Sequence, residues 1–478
     1  MAANFYTPAG VYLGLVSVES AENDPKQPSF LLESIERGDS LGRYSYIGVG
    51  PKAGVVLRDG EISHHNRDGT VSRLSNASKD PLAVIREEVS RPTVKIPRLS
   101  PFTGGYVGYL GYEMISIFEP KVSVSNPDVL GVPDAMLFNY DHIIAFDHAR
   151  NEINVIGNIH VNGDLEEQYQ QTTAAIDQII DRIKSRPPMI MREQEIELEH
   201  QSAQSNFEHS KYLEAVEKAR EYVSAGDVIQ VVISQRFARK TEADPFSLYC
   251  ALRMINPSPF MTYLDYGDFQ IIGASPELLL RVNEGTVTTN PIAGTRPVVT
   301  AEEENKRLEE ELSNNEKEKA EHRMLVDLGR NDVGRVSAPG TVRVPELMKI
   351  KRFSHVMHIA SEVQGQLADQ YFSLDALRST FPAGTLSGAP KIRAMQIIDE
   401  LEPEKRGPYG GVMGYIAYNG NVEMAITIRT MVYKDGIAYV QAGGGIVYDS
   451  VPEEEFIETI NKAKASMRAI DVAEEEYV

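Results

Sequence analysis

Hydrophobic positions in the first third of the chain come in short runs cut by turn residues. Gly10-Val11-Tyr12-Leu13, Ser45-Tyr46-Ile47-Gly48, Gly54-Val55-Val56-Leu57 and Ile143-Ile144-Ala145-Phe146 all read as strands. Between about Leu165 and Ile183 the period becomes that of a helix. Ser185-Arg186-Pro187-Pro188 then opens a Glu- and Gln-rich passage, poor in core-forming residues, that lasts to about Asn206. These shifts predict an N-terminal β-rich region over 1–185, a linker over 186–206 and a second region over 207–478. In the second region the two periods alternate irregularly, starting with a helix over Lys211–Ser224 stopped by Gly226 and a strand over Val228–Phe237. With no repeat and no strand-helix-strand rhythm, the expected class is mixed α+β.

Composition adds limits. The 478 residues carry 48 basic and 69 acidic side chains, a net charge of −21 spread along the chain. That field repels phosphate backbones and anionic lipid, so neither nucleic acid nor membrane is an expected partner. The single cysteine, Cys250, can form no intrachain disulfide, which fits a reducing compartment. No Lys or Arg precedes Lys26 and no apolar run approaches the roughly 18 residues of a membrane span, so a cytoplasmic protein is expected.

Two motifs lose their first appeal. Gly384-Thr-Leu-Ser-Gly-Ala-Pro-Lys391 has neither Walker nor Gly-x-Ser-x-Gly spacing, and Pro390 removes an amide that a phosphate cradle would need. His355 and His358 lie on a predicted strand over Phe353–Val363, where three-residue spacing puts them on opposite faces.

Acidic pairs are more informative. Ser313-Asn-Asn-Glu316 has capping-box spacing, and on the helix it opens Glu318 and Glu321 are i, i+3 neighbours. Ser450-Val-Pro-Glu453 repeats the pattern ahead of Glu455 and Glu458. Four carboxylates on two rigid elements, without Cys or His, suit a hard cation such as Mg²⁺. Two solvated acidic faces fit the same spacing. Gln441-Ala-Gly-Gly-Gly-Ile-Val447 reads as a strand followed by three glycines whose amides could nest an anion beside Glu455, or as a plain turn. Pro291-Ile-Ala-Gly-Thr-Arg-Pro297 adds a hydroxyl and a guanidinium, and Arg429 ends the alternating run Met424–Arg429, where it could read a carboxylate. Glu277, beside Leu278-Leu279-Leu280, could be desolvated into a general acid or could sit at a wet strand edge.

The strings Pro291–Pro297, Glu321-His-Arg-Met-Leu-Val-Asp-Leu-Gly-Arg-Asn-Asp332, Phe381-Pro-Ala-Gly-Thr-Leu-Ser-Gly-Ala-Pro-Lys391 and Gln441–Val447 together resemble the chorismate-utilising enzymes, and among them the anthranilate synthase large subunits. The likeness is dense from about residue 207 to 470 and looser through the first 150 residues. It implies a sheet-rich α+β sandwich flanked by helices. It implies that Glu321 and Glu458 hold Mg²⁺ against the ring carboxylate of chorismate, with Glu318 and Glu455 close by. It places Gly294, Thr295, Tyr415, Arg429, Gly443, Gly444, Gly445 and Lys462 around the substrate. By the same resemblance Glu277 is the general acid for the departing C4 hydroxyl, and His358 and Thr385 lie near the leaving group and the later elimination.

Among these enzymes, relatives that add water carry a Lys base where this chain has Gln230, and relatives that use a covalent amine carry a Lys where it has Ala293. Neither role is open here, which leaves ammonia as the nucleophile and anthranilate as the product. An aminodeoxychorismate or isochorismate/salicylate synthase, or a non-catalytic amino-acid sensor on the same fold, is the alternative. The apolar setting of Cys250 does not suit a glutaminase nucleophile. A separate glutamine amidotransferase subunit, and so a hetero-oligomer, is therefore implied. Leu32-Glu33-Ser34 and Pro259-Phe260-Met261 resemble the family's tryptophan feedback site. Val298-Val299 departs from the basic residues many relatives carry there.

Overall fold

The computed structural model describes residues 1–3, 5–16, 27–35, 42–74, 79–161, 163–185, 202–353 and 356–476. Among these residues, two large antiparallel sheets, of eleven and twelve strands, form a sandwich with helices on its outer faces. The expected α+β class is the one observed. Most of the predicted linker, and His355, lie outside the described residues.

Strands from the two ends of the chain share both sheets. In the first sheet Ser29–Glu33 runs between Tyr44–Val49 and Phe260–Asp265, with Ser29 opposite Asp265. In the second, Gly105–Leu110 pairs with Val412–Ala417, Val107 opposite Tyr415. Residues 1–185 and 207–478 are thus regions of sequence interleaved in one architecture.

Alternation along the strands explains the layers. One set of side chains, including Phe30, Tyr46, Tyr109, Phe138, Ile271 and Met413, meets between the sheets. The opposite sets pack under helices: Tyr12, Leu252 and Ile470 lie over the first sheet, and Leu82 and Leu377 over the second. Each fully buried side chain of this size contributes roughly 1.5–3 kcal/mol.

Most local expectations hold. The strands Tyr44–Val49, Ala53–Arg58 and His142–Asp147 are present, as are the helices Leu165–Ser185 and His209–Ala225, the latter capped by Gly226 in the left-handed region. The first run is a correction: Pro8–Val16 is a helix. Its apolar residues are dense enough to suit either period, and Pro8 at its start favours the helix.

Candidate active site

The chain crosses from one sheet to the other twice in adjacent places. Ser275-Pro276-Glu277 joins Phe269–Ser275 of the first sheet to Leu278–Asn283 of the second. Thr427-Ile428-Arg429 joins Val422–Ile426 of the second to Thr430–Lys434 of the first. The Ala274 amide donates to the Arg429 carbonyl at 3.1 Å and the Ile426 amide to the Glu277 carbonyl at 3.0 Å, so the crossings are tied together. Arg429 belongs to this crossing and not to a strand, as its sequence setting suggested. Its φ of 52° is a strained left-handed conformation that a side chain adopts only when its surroundings impose it.

Glu277 is 5% exposed. Its carboxyl accepts from the Thr385 hydroxyl at 3.1 and 3.3 Å and is also reached by the Ile292 amide. Burial outweighs both bonds and pushes its pKa up to about 8. The carboxyl is therefore protonated at neutral pH. Thr385 lies on the short helix Gly384–Ser387.

The strand Ile292–Pro297 carries the next group. Its pairing with Val356–Gln366 is interrupted between Ala293 and Arg296, and Gly294 sits at φ 63° in that bulge. A Cβ there would lie 2.9 Å from Glu318 Oε2, so glycine admits that carboxylate to the backbone. The bulge aims the Gly294 carbonyl at His358, whose Nδ1–H donates to it at 2.7 Å, with Thr295 Oγ1 at 3.2 Å. Burial lowers the His358 pKa. The ring is thereby neutral, with Nε2 as its acceptor. Glu277 and His358 thus bind backbone groups two residues apart.

Three successive glycines lie within the strand Ile437–Ile446, not after it, and form no anion nest. What they provide is absence of side chain. Added Cβ atoms would stand 3.0 Å from Tyr409 Oη at Gly443, 2.8 Å from Glu455 Oε2 at Gly444 and 2.3 Å from Gln230 Nε2 at Gly445. Gln230, first in the strand Gln230–Lys240, donates to Glu321 Oε1 at 3.2 Å.

Glu318 and Glu321 lie on the helix Glu316–Gly334, and Glu455 and Glu458 on Pro452–Glu476. The first helix is capped by Asn315, whose side chain accepts from the Glu318 amide at 3.1 Å; Ser313 lies in the last turn of the preceding helix, Glu302–Asn314, so the capping box expected there is not formed. Ser450 Oγ accepts from the Val447 amide at 3.0 Å and also reaches the Glu455 carboxylate, in place of capping the second helix. Burial, with Glu318 and Glu458 nearby, raises the Glu321 pKa; burial and Glu458 raise that of Glu455. Lys462 Nζ bridges Glu458 at 2.6 Å and the Gly443 carbonyl at 2.8 Å, and the Lys462 carbonyl accepts from Arg429. Among the described residues no three Asp, Glu, His or Cys side chains form a ready-made metal cage. Glu455 Oε2 is buried without a partner. Mutually repelling carboxylates with an orphaned oxygen are a donor set that fits a hard divalent cation keeping several waters.

Tyr415 is elsewhere. It stacks on Phe102 with ring centroids 4.5 Å apart and contacts Tyr46 between the sheets. The tyrosine the sequence reading missed is Tyr409, whose hydroxyl is bonded by the Gly443 amide and faces Arg429. Its signal was available in Arg406-Gly-Pro-Tyr-Gly-Gly411, a tyrosine set in a glycine turn.

Tyr415 instead lines a cavity of about 310 Å³ between the sheets, together with Leu32, Glu33, Ser34, Pro259, Phe260 and Met261. Ser34 Oγ is buried there without a partner, while Glu33 is held by Arg253 at 2.9 Å. The two expected feedback patches therefore meet in one chamber. It shares no lining residue with the glutamate site.

With this geometry in place, comparison with known proteins is specific. The chorismate binding enzyme family matches residues 27–468. Anthranilate synthase component 1 of Aquifex aeolicus is 46% identical over 473 residues, covering 98% of this chain and 93% of that protein. The Pseudomonas putida protein of the same name is 47% identical, covering 99% and 94%. The crystal structure of anthranilate synthase component I from Streptococcus pneumoniae superposes with a TM-score of 0.79 at 39% identity, over 91% of this chain and 93% of that one. The menaquinone-specific isochorismate synthase of Escherichia coli, at 17% identity and a TM-score of 0.70 over 97% and 91%, shares the fold. The chain belongs to the chorismate-binding enzyme family, among its anthranilate synthase component 1 members.

Proposed function

We propose that the chain is a Mg²⁺-dependent lyase that converts chorismate and ammonia to anthranilate, pyruvate and water, the first committed step toward tryptophan. The observation that carries this reading is a buried, protonated Glu277 in a site whose Gln230 and Ala293 offer no base and no amine.

The substrate's enolpyruvyl carboxylate would lie against Arg429, Tyr409 and the strand made bare by Gly443 and Gly445. Its ring carboxylate would point to the two acidic helices. Glu321 and Glu458 would hold the cation there, with Glu318 and Glu455 close by; bound Mg²⁺ supplies positive charge against that carboxylate. Glu277 gives its proton to the C4 hydroxyl, which leaves as water while ammonia adds at C2. Thr385 holds the carboxyl in place for that transfer. Loss of the C2 proton and of pyruvate then aromatises the ring, and neutral His358, through Nε2, is suited to accept a proton in this second half. The Gln230 amide, committed to Glu321, cannot deprotonate water.

The ammonia source is a separate subunit. Burial pushes the Cys250 thiol up to about 12, so it is no nucleophile at neutral pH. The name component 1 carried by the relatives accords with a glutaminase partner. We expect ammonium to support turnover by the purified chain, and glutamine to do so only after a glutaminase subunit is added. Glutamine-dependent product from the chain alone would contradict this. The inter-sheet cavity, with its orphaned Ser34 hydroxyl, we assign to tryptophan as feedback inhibitor.

A further inference from the structure

Arg406 is among the largest fully buried side chains, 1% exposed, and reaches none of the substrate-facing groups by hydrogen bond. Its Nε and Nη2 donate to the two carboxylate oxygens of Glu402 at 2.8 and 2.6 Å, and Glu402 also accepts from the Ser234 amide and hydroxyl, both at 2.8 Å. Two further donors go to backbone: Nη1 to the Leu386 carbonyl at 2.7 Å and Nη2 to the Val232 carbonyl at 2.9 Å. The guanidinium is 4.6 Å from the Tyr112 ring and 5.7 Å from the Tyr409 ring.

Stability alone does not account for this pair. Removing both charges from water costs several kcal/mol each, and a well-packed apolar pair of similar size is often as stable or more so. An apolar pair cannot, however, bind two carbonyls from different segments with one rigid fork. The segments so bound are the ones the reaction uses. Leu386 follows Thr385, the partner of Glu277; Val232 lies two residues beyond Gln230, the partner of Glu321, and opposite Gly445. Tyr409 is three residues beyond Arg406 itself.

Resting on the function proposed above, we infer that Arg406, oriented by Glu402, is a positioning residue that sets Thr385 and Gln230 relative to each other. It acts through them on the protonation of the leaving hydroxyl and the orientation of Glu321.

The test replaces the pair by Arg406→Met with Glu402→Leu and measures ammonium-dependent turnover at saturating Mg²⁺. The double variant should fold with unchanged circular dichroism, its Tm lowered by the hydrogen bonds that Ser234, Leu386 and Val232 lose. Its kcat should fall about 30-fold or more while the KM for chorismate changes less than about 3-fold. Thr385→Val should cost about 10-fold in the wild-type background and less than about 3-fold in the double variant, because the hydroxyl is already misplaced there. A folded double variant with near wild-type kcat, or a Thr385→Val cost of the same size in both backgrounds, would overturn the inference. If the double variant does not fold, Arg406→Lys keeps the charge against Glu402 without the fork, and the same cycle decides. A wild-type chain that makes another product would reject the function, and the cycle read on that product would still judge Arg406.

Discussion

At the scale of single residues the chemistry depends on how Glu277 is housed. Its pKa of about 8 comes from burial that two hydrogen bonds only partly offset. With protonated Glu277 proposed as the general acid, turnover with ammonium should fall as pH rises past about 8, even though free ammonia is then more abundant. The same shift bears on stability. The folded carboxyl holds its proton from its ordinary value up to about 8 while the unfolded one does not, so its contribution is fully present below the unfolded pKa and is lost as pH rises through 8. Glu277→Gln should lower kcat by on the order of 10² or more with a small effect on KM. By calorimetry the variant should gain stability relative to wild type between pH 5 and pH 9, each displaced pKa unit being worth about 1.4 kcal/mol. A variant changed only in KM, or equally stable relative to wild type at both pH values, would make Glu277 an ordinary binding group. Tyr409 marks the limit of reading such residues from sequence. Tyr415 and Tyr409 both have glycine-rich neighbourhoods, and only the fold shows that Tyr415, on the strand Val412–Ala417, points between the sheets while Tyr409, in the turn before it, faces Arg429.

At the scale of elements, the paired glutamates were legible because a helix repeats every 3.6 residues and fixes i, i+3 neighbours without outside help. Where those helices begin was less so: Ser313 and Asn315 are both good caps, and the break between two consecutive helices decides for Asn315. The glycine run misled for a related reason. Three glycines suit a turn, and what keeps them in a strand is pairing with Val232, Ile233 and Ser234, about two hundred positions away. The two acidic helices make a prediction of their own. Added Mg²⁺ should raise the Tm, since ligand binding to the folded state alone stabilises it. Chelation and dialysis should abolish turnover, and Glu458→Gln should weaken both effects. Full activity without divalent cation, or a Tm indifferent to Mg²⁺, would remove the metal from the account.

At the scale of the whole molecule, the sandwich joins the inter-sheet cavity to the Glu277 crossing. The strand Phe260–Asp265 lines the inter-sheet cavity and pairs with Phe269–Ser275, Phe260 opposite Ser275, and that second strand runs into the Glu277 crossing. A ligand that prefers one placement of these strands can therefore bias the catalytic one. Calorimetry should find tryptophan bound in the cavity and its affinity reduced by chorismate to the same degree that tryptophan weakens chorismate, as linkage requires. Tryptophan binding indifferent to chorismate would break that connection. None of this geometry was accessible from the regional pattern of strands, because two regions that look separable along the chain are interleaved within both sheets. The central claim is that ammonia adds at C2 because Glu277 supplies an acid while Gln230 and Ala293 supply neither a base for water nor an attacking amine at their positions. Purified chain given chorismate, Mg²⁺ and ¹⁵N-ammonium should release anthranilate carrying the label, identified by fluorescence and mass; isochorismate, salicylate or 4-amino-4-deoxychorismate as the main product would contradict it.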